Sequence, residues 1–91
     1  MSNAETQSTD VAMIIANPLF KRGYEHGWSG EEPTNDRNWM PHEQESYERG
    51  RQFAAWLIGE EEARVPLSRG FLVHPRAEIL LMRAMFLGEV Q

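Results

Sequence analysis

The stretch KRGYEHGWSGEE, Lys21 to Glu32, places Gly23, Gly27 and Gly30 among residues that otherwise favour a helix. Glycine inside a helix costs about 1 kcal/mol relative to alanine, so a short helix carrying several of them needs a compensating contact. On a helical wheel Phe20, Gly23, Tyr24, Gly27 and Trp28 share one face, the i, i+3, i+4, i+7, i+8 pattern of a buried stripe. Glycine within that stripe removes the side chains that hold helices at the usual 8–10 Å, so a partner backbone can come closer. A second small pair, Gly50 and Ala54, lies further along with the same four-residue spacing. FKRGYEHG at 20–27 and YERGRQFA at 47–54 also read alike: aromatic, any residue, Arg, Gly, any residue, Glu or Gln, any residue, small. The expected architecture is therefore all-α, with an antiparallel helical hairpin over about residues 18–61 held by close glycine-mediated packing. Gly23, Gly27, Gly30, Gly50 and Ala54 form its structural motif. A phosphate-binding loop is the rival reading of the glycines, but it needs a different spacing and a preceding strand.

Outward from this stretch, Asn17-Pro18 supplies an N-cap followed by a proline suited to the first helical position, and the helix should run to about Gly30. Before it, Thr9-Asp10 and VAMIIA read as a capped short helix or, as the lesser alternative, a strand. The segment EEPTNDRNWMP, 31–41, is rich in breakers and reads as a loop carrying Trp39. The next helix should extend from Pro41 or His42 to Glu61, with Tyr47, Gly50, Phe53, Ala54, Leu57 and Ile58 facing inward. Residues 64–74, interrupted by Pro66 and Gly70, read as irregular chain. His74-Pro75 should open a C-terminal apolar helix to about residue 88. Its Ile, Leu, Met and Phe residues occupy more than one side, which predicts burial within the domain or against a second copy, making a homodimer through this helix a candidate assembly.

At 91 residues the chain is sized for one domain, expected over 9–91. Residues 1–8 are expected to be disordered or tag-like, Ser2-Asn3-Ala4 matching a common cleavage scar. The absence of cysteine excludes disulfide scaffolds, thiol catalysis and cysteine-based zinc sites, and fits a reducing compartment. No apolar run approaches the ~18–20 residues of a membrane span and the N-terminus lacks signal-peptide character, so a soluble, cytoplasmic protein without a membrane partner is expected. The net charge is −5, unevenly placed: residues 18–62 hold five Lys/Arg against ten Asp/Glu, whereas residues 63–91 hold four Arg against two Glu. An acidic middle argues against generic nucleic-acid binding, which draws on a basic excess.

Gly23-Tyr24, Gly27 and Gly30, read as G-Y-x-x-G-x-x-G, precede a proline-containing loop and then aromatic-x-x-G-x-x-x-A at Tyr47, Gly50 and Ala54. Over about residues 18–57 this pattern resembles the ribosome modulation factor family. The resemblance implies a small cytoplasmic protein of two helices with a connecting segment, which binds the small ribosomal subunit near the messenger exit region and promotes inactive ribosome dimers. It would place Tyr24, the glycines and the loop around Trp39 to Pro41 among the surface and core of such a protein. The chain departs from the family in its acidity and in Arg51, where a tryptophan is common. Met40-Pro41-His42 around the loop proline is a further departure, and the C-terminal helix has no counterpart in short members.

Catalytic chemistry has little support. His26, His42 and His74 are scattered with no metal-ligand spacing, and the pairs Glu31-Glu32 and Glu60-Glu61-Glu62 fall at helix ends where solvated carboxylates are ordinary. No nucleophile motif is present, so no enzyme activity, cofactor or metal is expected. The candidate partner-binding residues are Lys21, Arg22, Tyr24, Arg37, Trp39, Arg49 and Arg51, cations and rings that suit phosphates and bases. Helical pairs such as Lys21 with Glu25 and Glu45 with Arg49 would neutralise part of that set, and Trp28 and Trp56 suit the core. Two functions follow as expectations. The first is a small non-enzymatic binding protein resembling ribosome modulation factor, contacting the ribosome through rRNA or a ribosomal protein and modulating translation. The alternative is an acidic protein-binding inhibitor or adaptor, phage-encoded proteins included, that blocks a basic or nucleic-acid-binding surface of a partner.

Overall fold

The computed structural model describes residues 11–91; the expected cap at Thr9-Asp10 and the tag-like segment lie outside the described residues. The chain is mostly helical, in the order α1 (residues 11–16), α2 (Pro18–Ser29), α3 (Pro41–Gly59), a two-stranded hairpin of β1 (Ser68–Arg69) and β2 (Leu72–Val73), and α4 (Pro75–Phe86). Each later helix starts on a proline, whose fixed φ and missing N–H suit the first turn. Asn17 Oδ1 accepts from Leu19 N at 2.8 Å, Glu43 accepts from Met40 N at 2.9 Å, and His74 Nδ1 accepts from Arg76 N at 3.2 Å.

α2 ends close to Gly30, as expected, but Gly30's place in the packing motif and two further expectations are corrected. Gly30 lies just beyond α2, at φ 73°, where its N–H bonds the His26 carbonyl; it closes the helix from a left-handed conformation that glycine adopts without steric cost, and a Cβ there would meet no described residue within 4 Å. Residues 64–74 are not wholly irregular: Ser68 pairs with Val73 and Arg69 with Leu72 across Gly70 (φ 66°) and Phe71. Ile58 is exposed rather than inward.

One apolar core gathers Val11 and Ile15 of α1, Phe20 and Tyr24 of α2, Phe53, Ala54 and Leu57 of α3, and Ala77, Leu80, Leu81 and Ala84 of α4. Val65 and Leu67, from the segment before β1, and Val90, beyond α4, close it. The C-terminal residues fold back on α3: Arg49 Nε donates to the Gln91 main-chain oxygen at 2.7 Å and Gln91 N donates to Gln52 Oε1 at 2.9 Å. α4 buries one face only, leaving Ile79 and Phe86 exposed on the other.

The α2–α3 contact is backbone against backbone. A Cβ built on Gly23 would overlap the Tyr47 carbonyl, one on Gly50 would overlap the Phe20 carbonyl, and one on Gly27 would stand 2.6 Å from the Ala54 methyl. These contacts advance in the same sense along both helices: Gly23 meets Tyr47, and one turn later Gly27 meets Arg51 and Ala54. The antiparallel hairpin expected from the sequence is therefore corrected to a crossing pair that runs in the same direction. The connection over residues 30–40 makes this possible. Extended, it reaches roughly 35 Å, well beyond the ~18 Å length of α2. It runs back along α3, the Glu31 carbonyl accepting from Arg51 at 2.8 Å and the Thr34 carbonyl from Gln44 at 3.3 Å.

Candidate functional site

The seven candidate partner-binding residues do not share one face. Gly50 points into α2, so its neighbours Arg49 and Arg51 leave α3 on opposite sides of that contact. Arg49 pairs with Glu45 at 2.6 Å and with the Gln91 main chain, while Arg51 is bonded to the Glu31 carbonyl. Arg22 and Arg37 are exposed, on α2 and in the loop, and Lys21 is partly so. Tyr24, named among the contact residues, is only 2% exposed and belongs to the core, because its ring packs on Phe53 at 5.6 Å.

Trp39 is half-buried against the ring of Tyr47, 5.2 Å between centroids, and helps latch the loop to α3. Tyr47 is fully buried and its hydroxyl accepts from Thr34 N at 3.1 Å and lies 2.7 Å from His26 Nδ1. His26 Nε2 is 3.2 Å from Glu31 Oε2. The network is satisfied when the Tyr47 hydroxyl donates to Nδ1 of a neutral His26 whose Nε2–H donates to Glu31, a tautomer assigned from the hydrogen bonds. Burial pushes the Tyr47 phenol up, but the bonds from Thr34 and the nearby Arg51 charge outweigh it and hold the group below 10.0. Sequence periodicity placed Tyr47 in the core; nothing in it signalled that Tyr47 would organise a loop through its hydroxyl.

Two of the seven, Lys21 and Tyr24, meet at a cleft of about 200 Å³ between α2 and the segment leading to β1, lined also by Glu25, Arg64, Pro66 and Ser68 among others. The Tyr24 hydroxyl donates to the Val65 carbonyl at 2.6 Å and accepts from Val65 N at 3.0 Å, fixing that segment. Arg64 stands 6.0 Å from the Tyr24 ring centroid, at the outer range of a cation–π contact. Lys21 and Arg64 have no ion pair among the described residues. Two cations suit a carboxylate or phosphate oxygen, with Glu25 limiting the charge the cleft accepts and the Tyr24 hydroxyl already committed to Val65. Arg64 was missed in the sequence because only folding brings it to Lys21.

Burial raises the Tyr24 phenol above 10.0, opposed by the Trp28 indole, the Val65 bond and the Arg64 charge. The indole acts from nearby, although Trp28 Nε1 itself is buried without a hydrogen bond of good geometry among the described residues. Tyr24→Phe should cost about 1–3 kcal/mol at neutral pH, since it leaves the buried Val65 N–H and carbonyl without their partner. A phenol held protonated to higher pH in the folded state binds more protons than the unfolded chain, so its contribution to stability is lost as pH rises through the folded value. Tyr47, shifted downward, has the opposite sign. The deficit of Tyr24→Phe should therefore narrow above about pH 10, read as urea midpoints at pH 7 and at alkaline pH. A deficit that widens there would contradict the assignment.

Among the described residues no group of three or more His, Cys, Asp or Glu is placed to hold a metal ion, and no described helix is long and apolar enough to cross a membrane. No family model matches the chain, and neither the curated proteins nor the solved structures give a match.

Proposed function

We propose that this chain is a small non-enzymatic binding protein of the ribosome modulation factor type, acting on the ribosome or a component of translation. The observation that supports the reading is that the glycines which carry the resemblance, Gly23, Gly27 and Gly50, sit where α2 and α3 meet backbone to backbone. The shared pattern is then a requirement of close helix packing, and a relative with the same pattern would need the same pair of helices. On this reading the contact is confined. Arg49 and Arg51 are bonded within the chain, and Lys21 with Arg64 offers a cleft sized for an acidic side chain or a single phosphate.

The test is co-sedimentation with small ribosomal subunits at low salt. Binding should weaken for Lys21→Glu with Arg64→Glu, and less for Arg49→Glu with Arg51→Glu. Failure to co-sediment would remove the ribosome and leave the second reading, an acidic adaptor for a basic protein surface. That reading is favoured by the carboxylates Glu60 and Glu89, which have no ion pair among the described residues and stand beside half-buried Trp56.

A further inference from the structure

We infer that the groove between the C-terminal half of α3 and α4 docks a helical segment of a protein partner, one rich in Lys or Arg with apolar anchors on one side. The inference deepens the adaptor reading and rests on it, by giving it a surface and a partner chemistry.

The groove consists of two neighbouring depressions, of about 400 and 260 Å³, that share Trp56 and Glu60. One opens over Ala55 and Gly59 toward Glu89; the other opens over Leu80 and Leu87 toward Arg83. Trp56 lies at their junction, stacked on Phe53 with centroids 6.5 Å apart and the planes 17° from parallel, which fixes the ring while leaving it half-exposed. Its indole N–H has no partner among the described residues. A Cβ on Gly59 would meet nothing within 4 Å, so the helix surface beside the ring is open. A rigid aromatic set in a small-residue depression is the kind of residue that dominates binding energy at protein interfaces.

Charge selects the occupant. Glu60 and Glu89 have no ion pair among the described residues, and Glu62 meets Arg76 at 3.0 Å. Among the described residues Arg83 is the one cation lining the groove. Phosphates would face carboxylates here, whereas lysine or arginine would find them across the rim. Among the described residues the lining comes from helices and their ends, with no strand edge to extend, so a helix laid in the groove fits better than an added strand. From Gln52 to Glu60 the groove is roughly 12 Å long, about two helical turns.

The probe is an amphipathic Leu/Lys helical peptide of about 14 residues, titrated into the ¹⁵N-labelled full chain. The Trp56 indole N–H signal should shift while those of Trp28 and Trp39 stay in place. Glu60→Lys with Glu89→Lys should weaken binding roughly tenfold, the scale of reversing two rim charges. Glu32→Lys with Glu48→Lys, the same change in net charge at exposed positions away from the groove, should leave it nearly unaltered. Three results overturn the proposal: an unmoved Trp56, equal weakening by both pairs, or a Trp56 shift that depends on protein concentration without peptide, which would make a second copy the occupant. Binding of the peptide at another face would sink the groove and keep the adaptor reading. Absence of any binding, by basic peptide or by ribosome, would sink both.

Discussion

Gly50→Ala is expected to destabilise the protein by about 2 kcal/mol, although alanine is the better helix former. The methyl would enter the space held by the Phe20 carbonyl and stand 2.7 Å from Tyr24 N, atoms of a helix backbone that cannot rotate aside as a side chain can. Relief requires α2 and α3 to separate along their whole contact, at the overpacking cost of roughly 1–3 kcal/mol or more, less the ~1 kcal/mol gained from helix propensity. For a domain of this size, stable by roughly 4–12 kcal/mol, that is a large fraction. Gly59→Ala supplies the control. It lies in the same helix, and its added methyl meets nothing, so the propensity gain should leave it neutral or slightly more stable. Urea denaturation of the two variants should give changes of opposite or clearly different size. Equal midpoints would show that α2 and α3 do not meet through their backbones.

The second large effect is expected on removal of residues 75–91. α4 and the tail bring Ala77, Leu80, Leu81, Ala84 and Val90 into the single core, and they hold Arg49 and Gln52 through Gln91. Each fully buried Leu or Val is worth about 1.5–3 kcal/mol, so the lost burial approaches the whole stability of the domain. The truncated chain should be insoluble, or compact with retained far-UV and lost near-UV circular dichroism and with dye-binding apolar surface. A monodisperse truncation with sharp, dispersed amide signals would mean that α4 is an appendage and that α1 to α3 form a complete core by themselves.

The helices were legible because their signals are local. Asn17-Pro18 and His74-Pro75 mark helix starts through side-chain capping and a fixed φ, and the inward positions Tyr47, Gly50, Phe53, Ala54 and Leu57 follow the helical period. Ile58 falls next to that stripe, and periodicity cannot fix where burial ends, because the limit is set by how far a neighbour extends. The hairpin of β1 and β2 escaped notice for a similar reason: strands this short carry no alternation to read.

The sequence by itself determined that small residues recur on one face of each of two helices, that no cysteine chemistry is available, and that the middle of the chain is acidic. Only the tertiary structure decided the direction in which those helices cross, since a small-residue face permits close approach in either sense and the choice falls to the long loop tied down by Tyr47 and Arg51. It also decided the fate of individual charges and rings. Arg49 and Arg51 became bonded within the chain, Tyr24 became core, Arg64 came to Lys21, and Trp56 was left half-open between Glu60 and Leu80. Such contacts join residues far apart in the chain, whose meeting depends on how all the helices pack together and leaves no periodic trace in the sequence.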